Sequence, residues 1–267
     1  VLFIIIGRLI LHAVFTNTVN NLYNKNDANG IYVNYDKLDA LPPPVQRYLR
    51  KVAALGMPMI HTARLRHRGD FKTSLHKEWT LINGEQYYNV TPPGFVWKGS
   101  TRLFTAIDCF ISGKGGLRVW LLSAFPIKHL TGSATNEAEL LRWIGECVLF
   151  PTALFPSNTI YWKPLDDTAA ILIVKNNNKI VKYKVLFNEA NEIYRIETRR
   201  WYDNKSAENW VGTFSDYSWC KGYIVPSKIE AAWVLDGIEY PYARFTIEVI
   251  EYNFCERFGQ SKAYAVL

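Results

Sequence analysis

The 267-residue chain has only four cysteines, Cys109, Cys147, Cys220 and Cys255, and no two of them form a CxxC pair. That spacing excludes a zinc ribbon and a thioredoxin-type motif. It leaves the thiols as small packed hydrophobes, with a disulfide between two of them still open. There is no HExxH. His61 and His67 share a strand face but stand roughly 20 Å apart along it, so no metal site is expected and no cofactor is called for. The absence of GxSxG removes the commonest serine-hydrolase signature. Gly113-Lys114-Gly115-Gly116 lacks phosphate-loop spacing and leads into a strand instead of a helix N-terminus, so it reads as a turn. No internal repeat or composition shift marks a domain boundary. The scattered basic residues match no nucleic-acid-binding motif.

What the chain does have is apolar and aromatic mass: 49% hydrophobic and 15% aromatic residues, with nine Trp and sixteen Tyr. Such rings favour β surfaces and binding clefts. A net charge of +7 favours anionic partners in general. The opening run VLFIIIGRLILHAVF is broken only by Gly7, Arg8 and His12. It is shorter than the about 20 residues of a membrane span. Residues 1–16 are expected to be the remaining end of a transmembrane or signal-anchor segment, with a buried core helix as the alternative. The Asn-dense stretch 17–40 reads as a linker, and 41–267 as a single β-rich domain.

Within that domain, Pro42-Pro43-Pro44 opens a short helix with Val45, Tyr48, Leu49 and Val52 on one face, running to Gly56. The one long helical pattern, residues 134–150, places Leu140, Leu141, Ile144, Val148 and Leu149 at helical spacing. It ends where Pro151 cannot donate. On both sides the sequence alternates as strands do, and Asn83-Gly84 carries a strong hairpin signal. The fold class is mainly β (α+β): a curved antiparallel sheet, or open half-barrel, with a central helix packed across its concave face.

Arg142 and Glu146 are four apart on one helix face. They read either as an ordinary ion pair or as a polar end in a cavity mouth, Arg142 gripping an anionic group. Asp108, in the apolar setting Thr105–Phe110, needs a partner, for which Arg142, Arg199 and Arg200 are candidates. Asp108 facing Glu146 would make a paired-carboxylate acid/base site. Trp97, Trp143, Phe150, Trp162 and Trp233 are expected to line the ligand cavity, with plain core as the other reading of each. Arg64, Arg66 and Arg68 alternate, so they share a face. They form a basic stripe that is either solvated or set against lipid head groups.

Several spaced signatures resemble a bacterial family catalogued only as a domain of unknown function, whose members commonly carry N-terminal membrane segments. They include Pro44-Val45-Gln46-Arg47-Tyr48-Leu49, Gly69-Asp70-Phe71, Pro93-Gly94-Phe95-Val96-Trp97, Asp108 and Gly113-Lys114-Gly115. The most specific block is Leu141-Arg142-Trp143 with Glu146 and Phe150-Pro151-Thr152-Ala153-Leu154. The order of elements is similar to the LolA-like lipoprotein-carrier arrangement. The function expected is a membrane-anchored, non-catalytic domain of the bacterial envelope that holds an apolar or amphipathic, lipid-like ligand and no nucleic acid. The alternatives are a hydrolase or isomerase acting through Glu146 and Asp108, and an envelope protein-interaction module.

Overall fold

Each alternating stretch pairs with its neighbour in the chain, which is the short-range outcome that tight turns favour. The computed structural model describes residues 2–23, 30–177, 179–202 and 206–260. A first meander comprises β1 (Thr62–Phe71), β2 (Thr80–Asn89), β3 (Gly94–Ser100), β4 (Phe104–Ile111), β5 (Lys114–Leu121) and β6 (Phe125–Leu130). A second comprises β7 (Ile160–Pro164), β8 (Ala169–Asn176), β9 (Lys179–Phe187), β10 (Ile193–Trp201), β11 (Ala207–Cys220), β12 (Tyr223–Leu235) and β13 (Ile238–Tyr252). β1 pairs antiparallel with β13, Leu65 opposite Ile250 and Gly69 opposite Phe245, which joins the two meanders. The result is one curved, unclosed thirteen-stranded sheet ordered β6-β5-β4-β3-β2-β1-β13-β12-β11-β10-β9-β8-β7. Asp236-Gly237 turns β12 into β13 with both residues at positive φ, 52° and 78°, as a type I′ hairpin requires.

Among the described residues, three α-helices complete the fold. α1 is Leu2–Tyr23, α2 Pro43–Val52 and α3 Ser133–Glu146. Two 3-10 turns, Cys147–Leu149 and Pro151–Leu154, extend α3. α2 starts on prolines and buries Val45, Tyr48, Leu49 and Val52, as their spacing predicts. It stops when Ala53 turns extended, ahead of the expected Gly56. α2, α3 and the 3-10 turns fill the concave face, where Tyr48, Trp143, Phe150 and Tyr183 are almost wholly buried in one core.

α1 lies on the opposite face. Phe15, Val19 and Leu22 pack on Tyr87, Val96, Ile107 and Trp120 as a second core. Each such fully buried side chain contributes about 1.5–3 kcal/mol. The helix therefore runs on to Tyr23, past the expected boundary at 16, because residues of the presumed linker find sheet to pack on. Val33 and Leu38 are buried in the main core as well. Positions 24–29 of that linker lie outside the described residues.

One further expectation changes. Asn83-Gly84 is not a turn: β2 runs straight through it, with Gly84 opposite His67. A Cβ at Gly84 would stand 1.9 Å from His67 Nε2, so the glycine makes room for that ring. The Arg64, Arg66 and Arg68 stripe does share a face, but each residue meets a carboxylate from a neighbouring strand. The distances are 2.6 Å to Glu251, 3.7 Å to Glu85 and 3.1 Å to Glu248. Arg64 is also only 3% exposed. Arg66 and Arg68 stay exposed, as a solvated stripe would be, while Arg64 is buried.

Candidate functional site

Residues at spacings of three and four fall on one helix face, and α3 places Glu139, Arg142 and Glu146 together over β2, β3 and β4. Arg142 Nη1 donates to Asp108 Oδ2 at 2.6 Å and Nε to Glu146 Oε1 at 3.0 Å. Its guanidinium sits 4.9 Å from the Phe95 ring centre and 4.8 Å from that of Trp97. Glu146 Oε2 accepts from Gln86 Nε2 at 2.7 Å and from Tyr88 Oη at 3.0 Å. Nearby, Trp143 Nε1 donates to Asn89 O at 3.1 Å, and Tyr183 Oη to Leu141 O at 2.9 Å. These bonds tie α3 to β2, β4 and β9 at once. The Asp108–Arg142–Glu146 convergence posed by the sequence therefore exists, with Arg142 between the two carboxylates.

Glu139 joins them, although sequence reasoning passed over it. Its signal was the 139–142–146 spacing. Burial, and then the neighbouring Asp108 charge, push the Glu139 carboxyl well above its ordinary range. Burial also raises Asp108, with Arg142 acting in the opposite direction. The two carboxyls are close enough that each shifts the other, so Glu139 keeps its proton to higher pH than an ordinary glutamate. Arg142 stays charged because Glu146, and then Asp108, favour its charge against the burial that opposes it.

This pair has a stability consequence. The folded chain keeps a proton on Glu139 that the unfolded chain releases above about 4.5. Stability is therefore full below that value and falls as pH rises toward the higher folded value. Glu139→Gln removes that loss. Its melting temperature relative to the unsubstituted chain should climb as pH rises above about 4.5. A melting difference that stays flat with pH would contradict the raised Glu139 carboxyl.

The five aromatic candidates separate into two groups. Trp97, Trp143, Phe150 and Trp162 are all buried in the main core. Trp162 Nε1 donates to Leu154 O at 3.0 Å, and Trp97 Nε1 to His67 Nε2 at 2.8 Å. Trp233 is only partly buried. It stacks on Tyr242 with ring centres 6.2 Å apart and meets Tyr202 edge-on at 5.0 Å. Phe71 meets Tyr242 edge-on at 6.2 Å. The four rings form a half-exposed row that crosses β1, β13, β12 and the end of β10. Trp210 donates to Tyr242 Oη at 2.9 Å and approaches Gly145 of α3, which links the row to the helix.

His67 is also on this face, stacked 4.1 Å from Phe245. Burial, and then Arg142, lower its pKa to about 3, so it is neutral. Accepting from Trp97 at Nε2 puts its proton on Nδ1, which has no hydrogen-bond partner among the described residues. Along β1 the same face then presents Gly69, with no side chain, and Phe71. A separate cleft of about 330 Å³ lies on the other face of the sheet, lined by Asp70, Thr213, Ser215, Lys228, Glu230 and Arg244 among others. Among the described residues no cluster of three His, Cys, Asp or Glu is placed to hold a metal.

No curated protein matches the chain. Among solved structures, a DUF1329 family protein from Desulfovibrio piger is 10% identical, covering 84% of this chain and 97% of that one at a TM-score of 0.45. A LolA superfamily protein from Nitrosomonas europaea is 9% identical, covering 79% and 92% at a TM-score of 0.41. The profile of one family of unknown function matches residues 32–245, nearly all of the folded sheet, and the chain belongs to that family, DUF6544.

Proposed function

We propose that this chain is a non-catalytic, membrane-associated domain that binds an apolar or amphipathic, lipid-like ligand on the concave side of its sheet. The observation that carries the reading is the half-exposed row Phe71–Tyr242–Trp233–Tyr202, apolar surface that α3 leaves uncovered. Small-molecule sites combine such apolar walls with a few polar groups. Here the polar group is the His67 Nδ1–H, two residues before Gly69 on the same strand. Arg142, Glu146, Trp143, Phe150, Trp97 and Trp162 act behind this surface, fixing the helix that borders it. The membrane is met through α1, which is long and apolar enough to cross one; an envelope location follows from that association.

Acid–base chemistry through Asp108 and Glu146 is served less well by the geometry. Glu146 is held by Arg142, Gln86 and Tyr88, and a general base needs an open approach to the proton it takes. The ligand reading is tested by titrating the whole chain with a brominated fatty acid and following tryptophan fluorescence. Quenching should saturate at one ligand per chain, and Trp233→Ala should weaken it at least tenfold, about 1.4 kcal/mol. Quenching that never saturates, or that is indifferent to Trp233, would rule the row out as the site.

A further inference from the structure

α1 is packed on the sheet along one line of residues only. Gly7, Leu11, Phe15, Val19 and Leu22 face the protein, while Leu2, Phe3, Ile5, Leu9 and Ile10 are 50–78% exposed. At Gly7 the helix touches the β5–β6 turn so closely that a Cβ would stand 2.3 Å from Ala124 O. That turn carries exposed apolar residues of its own: Leu121 and Leu122 before it, Phe125 and Ile127 after it. Leu103, 61% exposed, joins them through the bond from Leu122 N to Leu103 O. β6 is exposed at all six positions, on both faces. Helix and hairpin thus present adjoining exposed apolar side chains, a clustering that marks interaction surfaces.

The segments that carry this surface bear charges of one sign. Residues 1–26, 94–107 and 109–136 contain no Asp or Glu, and Arg8, Arg102, Arg118 and Lys128 are exposed among the apolar side chains. A cationic rim around an apolar face matches an anionic phospholipid surface. Edge-to-edge pairing with a second copy is opposed by Pro126 and Lys128 on the edge strand β6, residue types that blunt exposed edges.

We infer that the first half of α1 and the β5–β6 hairpin form one membrane-docking face, seated together in the interface of an anionic bilayer. The inference rests on the membrane association proposed above and adds the hairpin as a second inserting element. Because the second half of α1 is held on the sheet by Phe15, Val19 and Leu22, the helix brings the body of the domain down onto the lipid. Each basic residue at the surface strengthens partitioning roughly fivefold, so binding weakens with salt.

The test is flotation of the whole chain with vesicles of phosphatidylcholine alone or with added phosphatidylglycerol, and sedimentation without vesicles. The chain should float with the anionic vesicles. The exposed double substitution Phe125→Glu/Ile127→Glu should reduce binding at least tenfold without changing the melting temperature. Arg118→Glu/Lys128→Glu should remove the preference for anionic lipid. Failure of the unsubstituted chain to float would overturn the membrane reading altogether. Variants that float as well as the unsubstituted chain would overturn the hairpin's part and leave α1 alone. A stable dimer that the Phe125→Glu/Ile127→Glu change splits would assign the face to a second copy instead.

Discussion

Arg142→Met is expected to destabilise the fold by about 3–5 kcal/mol, the usual cost of removing one partner from a buried ion pair. Asp108 and Glu146 would lose their shared cation at 2.6 and 3.0 Å. Glu146 would keep Gln86 and Tyr88 as donors. Asp108 would lose the guanidinium that opposes the effect of its burial. The apolar replacement still fits between Phe95 and Trp97, so the loss is electrostatic and should be recovered in large part by adding Asp108→Asn and Glu146→Gln. Urea unfolding of the single and triple variants measures both quantities. A loss below about 1 kcal/mol, the range of a solvated surface pair, would show that the network does not hold α3.

Trp143→Ala should cost a comparable about 3–5 kcal/mol, by a different physical route. Trp143 is among the largest side chains buried to within 2% exposure, and its ring packs on Phe150 with centres 6.1 Å apart. Its indole also satisfies Asn89 O, so truncation leaves both a void and an orphaned carbonyl. Trp143→Phe separates the two effects. It keeps most of the apolar volume and gives up the hydrogen bond, so about 1–3 kcal/mol should remain. Equal losses for Ala and Phe would mean that packing at Trp143 contributes little.

The same two residues indicate how far the sequence could be read. Arg142, Glu146 and Asp108 were legible because an i,i+4 pair beside large apolar residues, and a carboxylate in an apolar strand, both require partners. Glu139 was not, because it sits in a polar-looking stretch, ATNEAE, whose burial depends on β4 and β5 lying across it. The strand alternation and the 134–150 helix were readable from period alone. Asn83-Gly84 misled, since the dipeptide that favours a hairpin also suits a straight strand when the partner strand offers His67. β6 escaped notice because Phe125–Leu130 is short and contains a proline. The carboxylates that meet Arg64, Arg66 and Arg68 come from β2 and from β13, the latter at least 180 residues away in the chain. No local pattern announces such a pairing. The bare face of α1 was read as membrane-facing from composition, but only the sheet decides which of its residues are covered.

The central claim is that the aromatic row around Trp233 holds an amphipathic molecule, and native mass spectrometry of the whole chain released from detergent micelles addresses it most directly. One bound lipid-sized mass per chain is expected, retained at collision energies that strip detergent and absent from Trp233→Ala. Only the bare chain mass, even after incubation with a bacterial lipid extract, would contradict it.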